Sequence, residues 1–242
     1  MAVETFDIEI RSTKVLAPSV KAFVFSRLDG KEVVYQPGQW VNLVLPVSTG
    51  EIRRAYSIAS APDGTATFEV AVTEVTGGPG SGYLCGLEPG AKLSAIGPQG
   101  FFTRDPGERS PALFVATGTG VSPLRSMLLA SARKGLPSPI WLLLGVRHSG
   151  DLLYRDEFEA LASSHPNFRV FFTLSQGEPE WTGRRGYVQT HIAELWTELT
   201  QLAQGEPHVY VCGLERMITA VRKLVRHELG VPRQRVHSER YD

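Results

Sequence analysis

The apolar residues of this chain change period once, near residue 105, and that change divides it into two halves that need different architectures. Before it, Phe6, Ile8 and Ile10 alternate with Asp7, Glu9 and Arg11. Val41, Leu43 and Leu45 alternate with Asn42 and Val44, and Phe68, Val70 and Val72 with Glu69, Ala71 and Thr73. Side chains of a strand point alternately to its two faces, so period two with Gly and Pro between the runs predicts an antiparallel barrel or sandwich. Beyond the polar, Pro- and Gly-containing stretch Asp105 to Pro111, the apolar runs Ala112 to Thr117, Ile140 to Arg147, Phe168 to Ser175 and His208 to Gly213 predict buried strands. Helical patterns over Ser122 to Lys134, Arg155 to Ser163 and Val188 to Ala203 separate them. A last helix carries Met217, Ile218, Val221, Leu224, Val225 and Leu229 on one face and stops at Gly230 and Pro232. The expected fold is two-domain, β plus α/β: an antiparallel β-barrel over residues 1–105 and a doubly wound parallel α/β domain over residues 106–242.

Composition narrows the function more by exclusion than by indication. The 242 residues carry a net charge of +0, so no global field draws the chain to nucleic acid or an anionic membrane. The longest strongly apolar stretch, Ile140 to Val146, is too short to span a bilayer, which argues against membrane insertion. The acid-bearing start, Met1 to Ile10, does not read as a signal peptide. Two distant cysteines, Cys85 and Cys212, cannot supply four thiolates to an iron–sulfur cluster, and reduced thiols suggest a cytoplasmic protein. The six histidines show no ligand spacing, so no metal site is expected, and no Gly-x-Ser-x-Gly elbow marks a hydrolase.

The strand Ala112 to Thr117 runs straight into Gly118-Thr119-Gly120-Val121-Ser122-Pro123. In a doubly wound sheet, ligands bind at the carboxyl ends of strands, where glycines let backbone N–H groups approach a phosphate and the next helix presents its positive end. Ser122 is the expected N-cap and Pro123 the expected first helical residue. Taken alone, the same glycines also suit a plain tight turn.

Arg54-Ala55-Tyr56-Ser57, then Gly118-Thr119-Gly120-Val121-Ser122-Pro123, then Val211-Cys212-Gly213, in this order and spacing, resemble the ferredoxin–NADP⁺ reductase superfamily across nearly the whole chain. The resemblance implies an N-terminal FAD-binding barrel and a C-terminal NAD(P)-binding domain. It gives Arg54 to the FAD pyrophosphate, where a guanidinium makes paired, charge-assisted bonds. Tyr56 would lie on the flavin ring and Ser57 near flavin N5, with Val70 and Val72 among the cofactor contacts. Gly77 to Leu84 resembles a second pyrophosphate loop, with Gly78, Gly80 and Ser81 as its donors. Gly118, Thr119, Gly120, Pro123 and Gly213 fall to the nucleotide, and Cys212 sits beside nicotinamide C4. The tail Ser238-Glu239-Arg240-Tyr241-Asp242 resembles the Glu-x-Tyr ending of plant-type members. That implies catalytic roles for Ser57, Cys212, Glu239 and Tyr241, with the Tyr241 ring covering the flavin. Asp242, one residue beyond the pattern, bears on that stacking.

For the adenosine half, the resemblance points to Ser175, Tyr187 and Gln189. Gln176 stands where the plant-type pattern has Arg, and Arg147, Arg184 and Arg185 are candidates for the missing cation. NADPH is the expected nucleotide, with NADH possible. The implied reaction is hydride transfer from NAD(P)H to FAD, with electrons released singly to a ferredoxin, a flavodoxin or an oxygenase iron–sulfur component. Two alternatives stay open: a reductase of free flavin or small acceptors, and an electron-transfer or docking subunit without independent turnover.

Overall fold

The computed structural model describes residues 3–48, 50–202 and 204–241. The first half forms strands β1 (Glu4–Ala17), β2 (Val20–Arg27), β3 (Trp40–Val47), β4 (Gly50–Ser57) and β5 (Thr67–Thr73), then a short helix α1 (Pro79–Cys85) and strand β6 (Lys92–Gln99). They make one antiparallel sheet of order β4-β3-β6-β1-β2-β5, curled so that an Ile58–Val70 bridge joins its two edges. The alternating apolar residues point inward. Ile8, Ile10, Phe23, Phe25, Leu43, Leu45, Phe68, Val70 and Val72 are buried together, with Phe25 and Phe68 stacked at 5.5 Å.

The second half runs β7 (Ala112–Thr117), α2 (Val121–Ala132), β8 (Ile140–Val146), α3 (Arg155–Ser164), β9 (Phe168–Leu174), β10 (Arg184–Arg185), α4 (Ile192–Leu202), β11 (His208–Gly213), α5 (Glu215–Lys223) and β12 (Val236–Arg240). Its sheet is parallel throughout, of order β10-β9-β8-β7-β11-β12. Continuous apolar runs make the central strands because both sheet faces are covered. Phe114, Leu142 and Leu144 pack with Met127 and Leu128 of α2. Leu113, Val115, Val209 and Val211 pack with Leu195 and Leu199 of α4 and Val221 of α5 on the other face.

Three sequence expectations need correction. Helix α2 is capped by Gly120 rather than Ser122, after a 3-10 turn over Gly118–Gly120. Gly118 takes φ +52, which lets the chain leave the strand and coil at once, so Pro123 falls third in the helix and Ser122 is buried in its first turn. The Val188–Ala203 helix is a 3-10 turn, Val188–Thr190, followed by α4, and the break lets the His191 ring meet Thr173 Oγ1 at 2.9 Å. The tail, expected only as a motif, is a sheet strand. No helix among the described residues is long and apolar enough to cross a membrane.

A buried ionic network joins the halves. Arg125 on α2 donates to both Glu157 carboxylate oxygens at 2.8 and 3.1 Å, to the Ala59 carbonyl at 2.9 Å and to Glu69 at 3.3 Å. Its guanidinium lies 4.1 Å from the Tyr154 ring centre, and the Tyr154 hydroxyl donates to Glu69 at 2.8 Å. A charge buried this far from water is tolerable only when so fully paired.

Candidate active site

Strand β12 brings the end of the chain to the barrel. It pairs with β11 so that Cys212 lies opposite Glu239 and Gly213 opposite Arg240, and the Tyr241 N–H donates to the Gly213 carbonyl at 2.9 Å. Ser57, last residue of β4, donates its hydroxyl to Glu239 Oε1 at 3.1 Å across 182 positions of sequence. Burial lifts the Glu239 carboxyl to about 7, outweighing the opposite pull of Ser57. Burial also pushes the Cys212 thiol well above its ordinary range. The Tyr241 hydroxyl is itself buried and faces Cys212, Ser57 and Glu239. Ser57, Cys212, Glu239 and Tyr241 therefore form one cluster where barrel and sheet meet. Its chemistry is that of a hydroxyl donor beside a carboxyl able to hold or release a proton near neutral pH.

The cluster opens into a cavity of about 860 Å³ along the carboxyl ends of the parallel strands. Gly118, Thr119, Gly120, Gly213 and Tyr241 line it beside the ends of β7 and β11, and Arg147, Ser175, Tyr187 and Gln189 beside β8, β9 and the turn after β10. Gly120 is required by close approach, because a Cβ there would overlap the Cys212 carbonyl. A Cβ on Gly213 would overlap Thr117 Oγ1 and come within 2.7 Å of Met217. The Thr117 and Ser122 hydroxyls are buried at this edge without partners. Each such group costs roughly 1–3 kcal/mol in a folded chain, and of the two Thr117 lines the cavity.

Arg184 and Arg185 do not line the cavity. Arg184 forms a paired ion bridge with Glu194 at 2.7 and 2.8 Å. Arg185 donates to the carbonyls of Gly177, Glu178, Pro179 and Trp181 and so braces that loop. Both guanidinia are engaged internally, which removes the geometric basis for assigning them to a phosphate. Arg216, Thr73 and Leu214, unremarked in the sequence, also line the cavity. Arg216 has a signal: it lies in the first turn of the helix that follows the Cys212-Gly213 strand end.

On the barrel side, Arg54 is exposed and donates to the Arg53 carbonyl at 2.9 Å, its one side-chain hydrogen bond among the described residues. Gly80 lies against its stem, where a Cβ would come within 3.1 Å of Arg54 Cγ. The Arg54 stem thus stands beside the first turn of α1, whose Gly80 and Ser81 N–H groups have no partner within the helix. This cradle fits a pyrophosphate. The Ser81 hydroxyl instead accepts the Val75 N–H at 3.0 Å, which leaves only its backbone for a ligand, and Gly78 caps the helix. Tyr56 is half-buried against the barrel core, and burial pushes its hydroxyl to about 12. Val70 and Val72 place their side chains wholly inside the barrel, so only their backbones are left to face a cofactor. Pro123 is likewise buried. Asp242 lies outside the described residues.

Comparison with known proteins agrees with this division. Residues 7–103 match the family model of the oxidoreductase FAD-binding domain, and residues 114–223 that of the oxidoreductase NAD-binding domain. Ferredoxin–NADP reductase B of Sorangium cellulosum is 57% identical over 99% of this chain and 98% of its own. The phenol hydroxylase P5 protein of Acinetobacter pittii is 32% identical over 99% of this chain, which spans 66% of that protein's length. A ferredoxin NADP⁺ reductase from Neisseria gonorrhoeae, solved with bound FAD and NADP, shares the fold, with a TM-score of 0.82 at 19% identity and 98% of each chain covered. Two oxidoreductase domains in series, and a relative matched almost end to end, show that the chain belongs to the ferredoxin–NADP reductase family.

Proposed function

We propose that the chain is an NADPH-oxidising flavoprotein reductase, holding FAD on residues 1–105 and the nucleotide on residues 106–242, that passes electrons singly to a separate acceptor. The observation that carries this reading is the Ser57–Glu239 hydrogen bond, which closes the barrel end onto the cavity end beside Cys212 and Tyr241. Bound there, flavin and nicotinamide would supply the acceptor and donor of a hydride. Arg54 and the first turn of α1 hold the flavin pyrophosphate. Tyr56 supports the flavin ring from the barrel, and Tyr241 covers the opposite face and must move aside for the nicotinamide. Ser57 fixes the reacting edge, Cys212 packs at the nicotinamide, and Glu239 holds or releases a proton near neutral pH. Gly118, Thr119 and Gly120 leave room for the nucleotide backbone, while Ser175, Tyr187 and Gln189 receive its adenosine half. Arg147, on the cavity wall where Arg184 and Arg185 are absent, takes the 2′-phosphate.

The acceptor is a ferredoxin, a flavodoxin or the iron–sulfur component of an oxygenase. The names of the Sorangium and Acinetobacter relatives support the first and the last of these. The chain's two cysteines lie far apart, one in the barrel half and one in β11, so neither serves an internal cluster. Visible spectroscopy of the purified protein, followed by anaerobic titration with NADPH and NADH, tests the reading. Flavin bands that bleach at lower NADPH than NADH concentration are expected; a protein that takes up no FAD, or whose flavin neither nucleotide bleaches, overturns it.

A further inference from the structure

We infer that Arg216 is a second cationic anchor for the nucleotide and grips the phosphate on the nicotinamide side, a group that NADPH, NADH and nicotinamide mononucleotide share. The inference rests on the proposed reading of the large cavity as the nucleotide site. Among the described residues, Arg147 and Arg216 are the two cationic side chains of the cavity wall. Arg216 is exposed and has no ion pair or hydrogen bond among the described residues. Its neighbour Glu215 is bridged to Arg240 at 3.1 Å. Among the described residues, Asp151 is the one acidic side chain on that wall and its carboxylate accepts the His148 N–H at 3.1 Å, so Arg216 is left to meet an anion that enters the cavity.

The order of strands says which anion. Along the cavity edge the sequence is β9-β8-β7-β11-β12. The redox cluster lies at β11 and β12, through Cys212, Glu239 and Tyr241. The glycine loop follows β7, in the middle. Arg147 follows β8 and Arg216 follows β11, so the two cations stand on opposite sides of that loop. Adjacent strands lie about 4.8 Å apart, so the backbones at these positions are separated by roughly 10 Å. One phosphate cannot occupy both, but a phosphorylated dinucleotide carries its pyrophosphate in the middle and its 2′-phosphate at one end. With the nicotinamide at Cys212, the 2′-phosphate falls to Arg147 and the pyrophosphate to Arg216. The Thr117 hydroxyl at the same end, buried without a partner among the described residues, is a further polar group that a ligand there would meet.

The two arginines should then fail differently. Flavin difference spectra of the FAD-loaded protein, titrated with NADP⁺, NAD⁺ and nicotinamide mononucleotide, give three dissociation constants per variant. Arg216→Ala is expected to weaken all three by a similar factor, about tenfold to a hundredfold, the loss of a charge-assisted contact. Arg216→Lys should recover part of that loss. Arg147→Ala is expected to weaken NADP⁺ alone. Both positions are solvent-facing, so an unchanged flavin spectrum and melting temperature show that the variants are folded. Equal binding by wild type and Arg216→Ala overturns the assignment, as does an effect on NADP⁺ only. Unchanged nucleotide affinities with slower delivery to an acceptor overturn it too, making Arg216 an acceptor contact. A wild type that answers to none of the three ligands refutes the nucleotide-site reading itself.

Discussion

The two ends of the parallel sheet bury polar groups in opposite ways. At the amino ends of β11 and β12, the His208 and His237 rings stack in parallel and share a 2.9 Å hydrogen bond. His237 also stacks on Tyr210 at 4.3 Å, and Arg104 closes the group over the far side of that ring at 5.6 Å. At the carboxyl ends, the Thr117 and Ser122 hydroxyls are buried without partners among the described residues, and the half-buried Glu239 has one, Ser57. The first arrangement is a stack of rings that pair with one another inside the fold, with Arg104 Nε and Nη1 left without partners among the described residues, whereas the second leaves hydroxyls beside a cavity that a ligand can enter. One sheet thus has a structural end and a chemical end, and disturbing them should give different symptoms.

The largest effect is expected from Gly120→Ala, where the new methyl group meets the rigid Cys212 carbonyl. Overpacking of this kind costs about 1–3 kcal/mol of stability. Because the contact also pushes the glycine loop off the β11 end, flavin reduction by nucleotide should be nearly abolished while FAD is retained. Rapid-mixing absorbance checks this, and normal reduction in a folded variant would show that the loop does not set the site.

The two ends should also answer to pH with opposite sign. Glu239 binds its proton up to about pH 7 in the folded chain and only to about 4.5 when unfolded. Between those values the native state holds more protons, so stability falls as pH rises, and the full cost is present above pH 7. Glu239→Gln should leave melting at pH 4.5 unchanged and raise stability at pH 8 by about 2–3 kcal/mol. His237 behaves in reverse: burial, His208 and Arg104 depress it from 6.5 to about 4. Here the unfolded state binds more protons, so stability is lost as pH falls from 6.5 toward 4. His237→Phe keeps a ring on Tyr210 and should flatten that loss by about 1 kcal/mol, partial exposure having reduced the effect. Its flavin reduction rate should not change. Melting curves from pH 4 to 8 test both; slopes of the same sign would erase the distinction between the ends.

The edge of the sheet is less readable from sequence than its centre. β7 and β11 were legible to the residue because their apolar runs pack on both faces. β12 was not: Val236-His237-Ser238-Glu239-Arg240 has no strong period, and its place comes from pairing with β11, a tertiary fact. Glu239 and Tyr241 were found only through the motif they resemble. The partners of Arg184 and Arg185 are not legible in the sequence, because a cation's sequence neighbours do not reveal that Glu194 or a row of carbonyls engages it. Ser122 looked like a cap because residue type was visible and the φ of Gly118 was not. Arg216 went unnoticed because only the cavity shows which side of α5 it serves.

The central claim is that the seam formed by Ser57, Cys212, Glu239 and Tyr241 is where nicotinamide and flavin meet. Ser57→Ala tests it most directly, since it removes one hydroxyl and its 3.1 Å bond to Glu239 without touching Arg54 or the glycine loop. Anaerobic rapid mixing of the FAD-loaded variant with saturating NADPH reads the reduction step alone. The account predicts a flavin spectrum and nucleotide affinity close to wild type with reduction slowed at least about tenfold, a barrier increase of 1.4 kcal/mol or more. Reduction at the wild-type rate would contradict it.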